Sequence, residues 1–196
     1  MPTKPHELHL SGDPEADKLL SEDPLALLIG MVLDQQIPLE KAFRGPLDLS
    51  ARMDGAKLDA AEIASMPPDR LATLFAERPA LHRFPASMAR RVQDLCRAVV
   101  DDYGGDAAAL WSTAKSGAEL FDRVNGLPGF GEQKARIFVA LLGKQLGVRP
   151  RGWQEAAGKF GEKGSFLSVA DIVGPESLTR VRDYKKAAKA KAAAGA

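Results

Sequence analysis

The segment "NGLPGFGEQKAR" at residues 125–136 contains the residues whose types and spacing most clearly suggest a chemical role. Gly129 and Gly131 flank Phe130 in a tight bend between two helix-forming stretches. Glycine lets the backbone turn sharply and leaves no side chain in the way of an approaching group. The first N–H groups of the helix that begins near Glu132 have no partners within that helix and lie at its positive end. We therefore predict an anion site made of main-chain donors, suited to a DNA phosphate.

Four further residues of this bend contribute to the prediction. Gly126 is expected to take the left-handed conformation that ends the preceding helix, and Pro128 is expected to stiffen the turn. Lys134 and Arg136 can add positive charge near the bound anion. The alternative is a plain helical hairpin whose glycines serve only to turn the chain.

The elements that must position this bend are helical almost throughout. Asp23 and Pro24 form a helix start, Gly45-Pro46 is expected to interrupt a helix, and Gly104-Gly105 ends the longest amphipathic stretch. Ser116 is expected to cap the helix before the bend. Strand-like alternation is nowhere sustained, so the sequence predicts an all-α protein. The predicted helices lie within residues 24–36, 38–43, 59–65, 67–77, 84–103, 116–125, 132–146, 152–161 and 168–190.

Composition limits the classes of function. The 196 residues carry a net charge of +1, but 7 of the 27 basic and 14 of the 26 acidic residues precede Arg78, which leaves 20 basic and 12 acidic residues after it. This asymmetry fits a polyanion bound by one face, and it equally fits two halves that attract each other. The single Cys96 excludes an internal disulfide framework and an iron–sulfur cluster. The apolar run at 25–33 is too short to cross a bilayer, and no signal peptide opens the chain, so we expect a cytoplasmic protein.

Two segments resemble one family. "LPGFGEQKA" at 127–135 resembles the helix–hairpin–helix motif of DNA repair proteins, and "LALLIGMVLDQQIPLEKA" at 25–42 resembles the apolar helix and polar-Gln-Gln segment of its base-excision branch. The chain is therefore similar, over about residues 24–160, to the helix–hairpin–helix/Gly-Pro-Asp superfamily of DNA glycosylases. The resemblance implies a two-lobed helical fold with a central cleft. It further implies a bacterial, monomeric, nucleoid-associated repair protein whose partner is double-stranded, lesion-containing DNA.

The resemblance also implies roles for the hairpin. The main-chain carbonyls of Asn125, Leu127 and Phe130 would hold a structural Na⁺ or K⁺ ion. The backbone around Gly129 and Gly131 would supply N–H groups to a phosphate beside the lesion.

In the same family, a side chain of the polar-Gln-Gln turn fills the hole left by an everted nucleotide. That role corresponds best to Gln36, with Gln35 as its neighbour. A planar amide can occupy an unstacked void and hydrogen-bond the orphaned partner base. The alternative is a pair of amides that simply end a helix.

The catalytic groups of the family are the point at which this chain departs from the pattern. Gln133 stands where the lysine of the bifunctional members would be; Lys134 follows one place later, about 100° around the helix, and is expected to face elsewhere. Arg151 stands where the aspartate would follow Pro150. An arginine cannot stabilise the cationic sugar that forms when an N-glycosidic bond breaks. We therefore expect no abasic-site lyase activity.

Three interpretations remain open. The first is a glycosylase with a relocated acid, for which Asp34 is the leading candidate and Glu155 the second. The second is a non-catalytic lesion binder in which Arg151, stacked with Trp153, holds a phosphate or a flipped base. The third is a helical scaffold that binds another protein. The predicted DNA-binding residues are Gln35, Gln36, Leu127, Gly129, Phe130, Gly131, Gln133, Lys134, Arg151 and Trp153.

The domain organisation follows from the same reasoning. Residues 1–23 are predicted to pack on the C-terminal lobe, and residues 24–146 to form the helical core, with the hairpin at 116–146. Residues 147–184 are predicted to complete the second lobe. The Ala/Lys-rich segment 185–196 lacks an apolar face and is predicted to be a flexible basic tail.

Overall fold

The computed structural model describes residues 7–196, and in this range all regular structure is helical. The predicted all-α class is therefore confirmed. None of these helices is long and apolar enough to span a membrane. The helices are α1 (Pro14–Glu22), α2 (Pro24–Leu33), α3 (Leu39–Arg52), α4 (Ala60–Ser65), α5 (Pro68–Ala76), α6 (Pro85–Tyr103), α7 (Ala109–Ser112), α8 (Gly117–Asn125), α9 (Glu132–Gln145), α10 (Trp153–Ala157) and α11 (Pro175–Ala194), with 3₁₀ turns at Gly158–Gly161 and Val169–Asp171.

Helix α2 is the most deeply buried element near the predicted site. Asp23 caps it by accepting hydrogen bonds from the N–H groups of Leu25 and Ala26, and Pro24 occupies the first helical position. Every residue from Leu25 to Leu33 is buried. The helix ends at Leu33, three residues earlier than the sequence predicted, so that Gln35 and Gln36 lie in the connection to α3.

Helix α3 does not break at Gly45-Pro46, which corrects the prediction. It continues from Leu39 to Arg52 with Pro46 inside it. Both Gly45 and Pro46 are buried, and a Cβ on Gly45 would lie 2.5 Å from Cδ1 of Leu33. The missing side chain lets α2 and α3 pack closely, and this packing outweighs the hydrogen bond that the proline removes.

The contacts between helices fall into two sets, and the chain passes from the first set to the second between α6 and α7. Helices α1 to α6 pack among themselves, mainly through α2 on α3 and through α4 and α5 on α6. Helices α8 and α9 pack on each other and on α10, so contacts cross the predicted boundary at residue 146. Helix α1 packs mainly on α2 and α3. The packing of segment 1–23 on the C-terminal lobe stays a prediction, and residues 1–6 lie outside the described part.

The C-terminal segment differs from the flexible tail that its composition predicted. Helix α11 continues to Ala194, although Val181 is its last buried residue. All residues from 182 onward are exposed. Alanine and lysine have high helix propensity, so the segment extends α11 without an apolar face to bury.

Candidate nucleic-acid interface

The connection between α8 and α9 is a tight turn anchored by two buried side chains. The carbonyl oxygen of Leu127 accepts a hydrogen bond of 3.1 Å from the N–H of Phe130. Pro128 and Gly129 are the central residues, and Gly129 has φ +86°, as the third position of a type II turn requires. Leu127 and Phe130 are buried, and Phe130 packs edge-on against Phe138 with ring centroids 5.8 Å apart. The apolar residues thus hold the turn while its backbone faces outward.

The left-handed residue of this connection is not the one that the sequence predicted. Gly126 has φ −77° and continues the right-handed turn, whereas Gly129 takes the positive φ. A Cβ on Gly129 would also lie 3.0 Å from a methyl carbon of Val32 in α2. Gly129 therefore serves both the turn and the close approach of the hairpin to α2.

The N-terminus of α9 is open to solvent and its N–H groups are unused. Gly131 is the N-cap, supplies no side-chain cap, and has nothing within 4 Å of the position where a Cβ would be. Gly131, Glu132 and Gln133 are exposed. Across residues 7–196, the N–H groups of Glu132, Gln133 and Lys134 have no acceptor. These three donors are free to bind an anion.

The side chain of Lys134 points inward and joins α9 to the end of α2. Its Nζ donates hydrogen bonds of 2.6 Å to the carbonyl oxygen of Met31 and 3.3 Å to that of Asp34. Lys134 thus does not share the direction of the exposed Gln133, and its four-carbon stem reaches a helix end that the sequence could not place. Burial lowers the pKa of Lys134 to about 8, with Lys185 and Arg91 acting in the same direction and Asp34 against it.

Gln35 fixes the turn that follows α2. Its side-chain Nε2 donates to the carbonyl of Val32 at 2.8 Å, and its Oε1 accepts from Arg91 at 3.0 Å. Its own carbonyl oxygen lies 2.9 Å from Nε2 of the buried His82. Nδ1 of His82 accepts from the N–H of Phe84 at 3.0 Å, so His82 is neutral with its proton on Nε2. With its N–H donating to the carbonyl of Leu33, Gln35 is held at four atoms and is not free to reach a ligand.

Gln36, in contrast, is exposed and unconstrained by the residues described. It has φ +57°, a left-handed conformation that residues with side chains rarely adopt. No described residue accepts from or donates to its side chain. The bonds made by Gln35 hold the backbone in this conformation and present Gln36 at the surface.

Asp34 lies between these two turns in a positively charged environment. Its side chain is 15% exposed, and its Oδ2 lies 3.7 Å from Nζ of Lys185. Lys134 and Arg91 lie close enough to interact electrostatically with the same site. A carboxylate is therefore present two residues before Gln36, and it interacts with Lys185 and Lys134.

The predicted site residues that follow Pro150 lie away from the α2–α3 turn. Arg151 is exposed, and its carbonyl oxygen accepts from the N–H of Gly117 at the far end of α8. The ring of Trp153 packs on Gly143, where a Cβ would lie 2.3 Å from the indole, about 13 Å along α9 from Lys134. Glu155 is exposed in a shallow cavity beside Arg151. The structure does not bring these residues to Asp34 or Gln36.

The hairpin carbonyls are compatible with the expected monovalent cation. Within residues 7–196, the carbonyl oxygens of Asn125 and Phe130 accept no hydrogen bond, and that of Leu127 accepts one. Neutral oxygen donors of this kind suit Na⁺ or K⁺, and each carbonyl carries two lone pairs. Among the described residues, no cluster of three His, Cys, Asp or Glu side chains could hold a metal ion.

Sequence reasoning missed His82, Arg91 and Lys185, which complete the site. They lie 47, 56 and 151 positions after the residues they contact, and no motif marks them. The only available signal was the excess of basic residues after Glu77. Comparison of the chain with models of protein families, with curated proteins and with solved structures gave no significant match.

The neutral state of His82 predicts a loss of stability in acid. Burial lowers the pKa of His82 below its usual value of 6.5, so below about pH 7 the unfolded chain binds more protons than the folded one. The stability present above pH 6.5 is lost as the pH falls, because a proton on Nδ1 breaks the bond from Phe84. We expect the free energy of unfolding of the wild type, relative to His82→Gln, to fall by about 1 kcal/mol between pH 7 and pH 5. Urea denaturation at each pH measures this difference.

The matched control is His9→Gln, which removes an exposed histidine. The pH dependence of this variant should equal that of the wild type. If His82→Gln also leaves the pH dependence unchanged, His82 does not hold the turn in its neutral form.

Proposed function

We propose that this protein binds duplex DNA through its α8–α9 hairpin and recognises damaged or flipped bases, as a base-excision repair protein of the helix–hairpin–helix/Gly-Pro-Asp type. The observation that carries the proposal is the set of exposed, unused N–H groups at the start of α9. Such donors bind a phosphate at any sequence, since they recognise only its charge and its oxygens. The two-lobed fold and the monomeric state expected from the resemblance belong to the same proposal.

The position of the hairpin beside the α2–α3 turn supports lesion recognition. Lys134, in the first turn of α9, contacts the carbonyl of Asp34, two residues before Gln36. A duplex whose phosphate lies on the hairpin would therefore have Gln36 close to its bases. The exposed amide of Gln36 is suited to fill the space that an everted nucleotide leaves.

The charges around this surface favour a polyanion. Lys41, Arg91 and Lys185 are exposed. Lys41 interacts electrostatically with His82, and Arg91 and Lys185 interact electrostatically with Lys134. Glu40 is paired with Arg182, which reduces the negative charge that α3 presents. The surface formed by the hairpin and the α2–α3 turn is thus positive on several sides, and its affinity for DNA should depend strongly on salt.

A hydrolytic activity would depend on Asp34. In that reaction water adds to the sugar carbon as the bond from carbon to base nitrogen breaks, and the base leaves with a proton. A carboxylate at Asp34 would activate the water or stabilise the positive charge on the sugar. Glu155, the second candidate from the sequence, lies on a different surface.

Non-catalytic lesion binding is the second candidate function, and one observation favours it. Lys185 and Lys134 interact with Asp34, Arg91 lies near Lys134, and these cations oppose a developing positive charge on the sugar. The same cations strengthen binding of the phosphates. A protein-binding scaffold is the third candidate. This function would not explain why the N–H groups at the start of α9 are open to solvent.

Substitution of Gly131 tests DNA binding. Gly131 has φ −109° and ψ −179°, which valine adopts readily, and the space around it is open. Gly131→Val should therefore fold normally, while its branched side chain blocks the approach of a phosphate to the N–H groups behind it. We expect the affinity for a duplex with an abasic site, measured by fluorescence anisotropy at low salt, to fall at least about 10-fold.

Gly174→Val is the matched control. Gly174 is the extended N-cap of α11 and is also open, with nothing within 4 Å of a Cβ. This variant should bind DNA like the wild type. Equal affinities of Gly131→Val and the wild type would show that the hairpin does not contact the duplex.

A panel of duplexes distinguishes the catalytic from the non-catalytic interpretation. Uracil, an alkylated purine, oxidised guanine and an abasic site are each scored for binding and for alkali-labile breaks. If the protein is a glycosylase that uses Asp34, Asp34→Asn should reduce cleavage at least about 100-fold and leave binding nearly unchanged. Glu155→Gln is the control and should cleave normally.

Two results, one from this panel and one from borohydride trapping on the same duplexes, would contradict parts of the proposal. Full cleavage by Asp34→Asn would remove Asp34 from the mechanism. A covalent adduct at Lys134, trapped by borohydride, would contradict the expected lack of lyase activity. Binding without breaks at any lesion would assign the non-catalytic function.

A further inference from the structure

A second candidate site lies at the other end of α9. A cavity of about 590 Å³ opens between the last turn of α9, α10 and the segment 161–173. This volume is in the range of sites that hold a small organic ligand. Lys144 is ten residues after Lys134, so the cavity is about 15 Å along the helix from the hairpin surface.

The charge of the cavity favours an anion. Its charged lining residues are Lys144, Arg149, Lys163 and Asp171. Asp171 is buried and pairs with Lys144 at 2.5 Å, so these two charges neutralise each other. Arg149 and Lys163 remain, and both are exposed at the rim. Within residues 7–196, Arg149 uses only its Nε, which donates to the carbonyl of Gly143 at 2.8 Å. The two terminal nitrogens of its guanidinium are therefore available for the oxygens of a phosphate.

Two aromatic side chains line the cavity together with these cations. Trp153 lines the cavity and packs on Gly143, whose missing side chain lets the indole approach α9 closely. Phe166 lines it as well, with the guanidinium of Arg180 stacked 4.6 Å from its ring centroid. An indole that lines a positively charged cavity is a suitable surface for stacking a nucleic-acid base.

The buried amide of Gln145 adds a hydrogen-bonding group to the lining of the cavity. Its Nε2 donates to three carbonyl oxygens, of Val169, Ala170 and Ile172. These bonds fix the orientation of the amide, and its Oε1 accepts no hydrogen bond from the described residues. Gln145 is 5% exposed and lines the cavity. A fixed acceptor at this depth can receive an N–H group from a planar heterocycle.

We propose that this cavity binds a single nucleotide, with its base against Trp153 and its phosphate at Arg149 and Lys163. The ligand is either a free nucleoside monophosphate or the phosphorylated end of a DNA strand. This site does not depend on the hairpin, from which it is separated along α9.

Titration with deoxyadenosine monophosphate tests the proposal. The protein has two tryptophans, so an ¹⁵N spectrum contains two indole signals. The signal of Trp153 should shift in a saturable manner, while that of Trp111, which packs on Phe138, stays in place. Deoxyadenosine should bind at least about 10-fold more weakly because it lacks the phosphate. A titration without saturation, or one that shifts both signals alike, would overturn the proposal.

Charge-matched variants locate the phosphate. Arg149→Gln with Lys163→Gln should weaken binding of deoxyadenosine monophosphate at least about 10-fold at constant salt. The control, Lys186→Gln with Lys189→Gln, removes the same charge from the exposed part of α11 and should change binding less than about 2-fold. Equal losses in the two double variants would overturn the proposal, because only the overall charge would then matter.

Two further measurements separate this site from the hairpin and identify the source of the ligand. Gly131→Val should bind the nucleotide normally even if it no longer binds DNA; a joint loss would place the nucleotide on the hairpin and overturn the proposal. Competition by a 5′-phosphorylated oligonucleotide, but not by its 5′-hydroxyl form, would identify a strand end as the ligand. Nucleotide binding without competition by either would identify the free nucleotide.

Discussion

The end of α2 is the point on which the rest of the proposed site depends. The carbonyl oxygens of Gly30–Leu33 lie at the end of a buried helix, where no further helical turn can supply donors. The N–H groups of Asp34 and Gln35 take two of them, the side chain of Gln35 takes a third, and Lys134 takes the fourth. A buried carbonyl left without a donor costs about 1–3 kcal/mol, so each of these contacts is under strong structural constraint.

This arrangement links two segments that are 100 residues apart in the chain. Lys134 belongs to the first turn of α9, so the bond that satisfies α2 also fixes the exposed N-terminus of α9. Gln35 belongs to the connection to α3, so the bond that it makes also holds Gln36 at positive φ. The same contacts that complete the helix end therefore place a main-chain anion site next to an exposed amide. For this reason we interpret the hairpin and the α2–α3 turn as one surface.

Much of the fold could be predicted from local sequence signals. Caps, glycine stops and apolar periodicity predicted most of the helices, although not α1 or α7, and "GLPGFG" predicted the connection between α8 and α9. One of the errors arose where contacts with the rest of the fold, and not the local sequence, determine the backbone conformation. Pro46 remains inside α3 because Gly45 allows close contact with α2. Gly129 rather than Gly126 is left-handed because it occupies the third position of the turn closed by Leu127 and Phe130.

The candidate site was less predictable than the fold. Rotation about the helix axis predicted that Lys134 and Gln133 point in different directions, but it could not predict that Lys134 contacts the end of α2. His82 and Arg91 act on Gln35 from α6 and the segment before it, a relation that only the folded chain reveals. Conversely, Trp153 lies against Gly143 near the other end of α9, and Arg151 and Glu155 line a separate cavity with Arg136, because α10 packs along that helix.

The claim that the free N–H groups of α9 contact a nucleic-acid backbone can be measured directly. In an ¹⁵N-labelled sample, titration with a short duplex should shift the backbone amide signals of residues 131–134 downfield and saturate together. The amide signals of α4, which packs on α6 away from the hairpin, should not move. Stationary signals at residues 131–134 under conditions in which the duplex is bound would contradict the account.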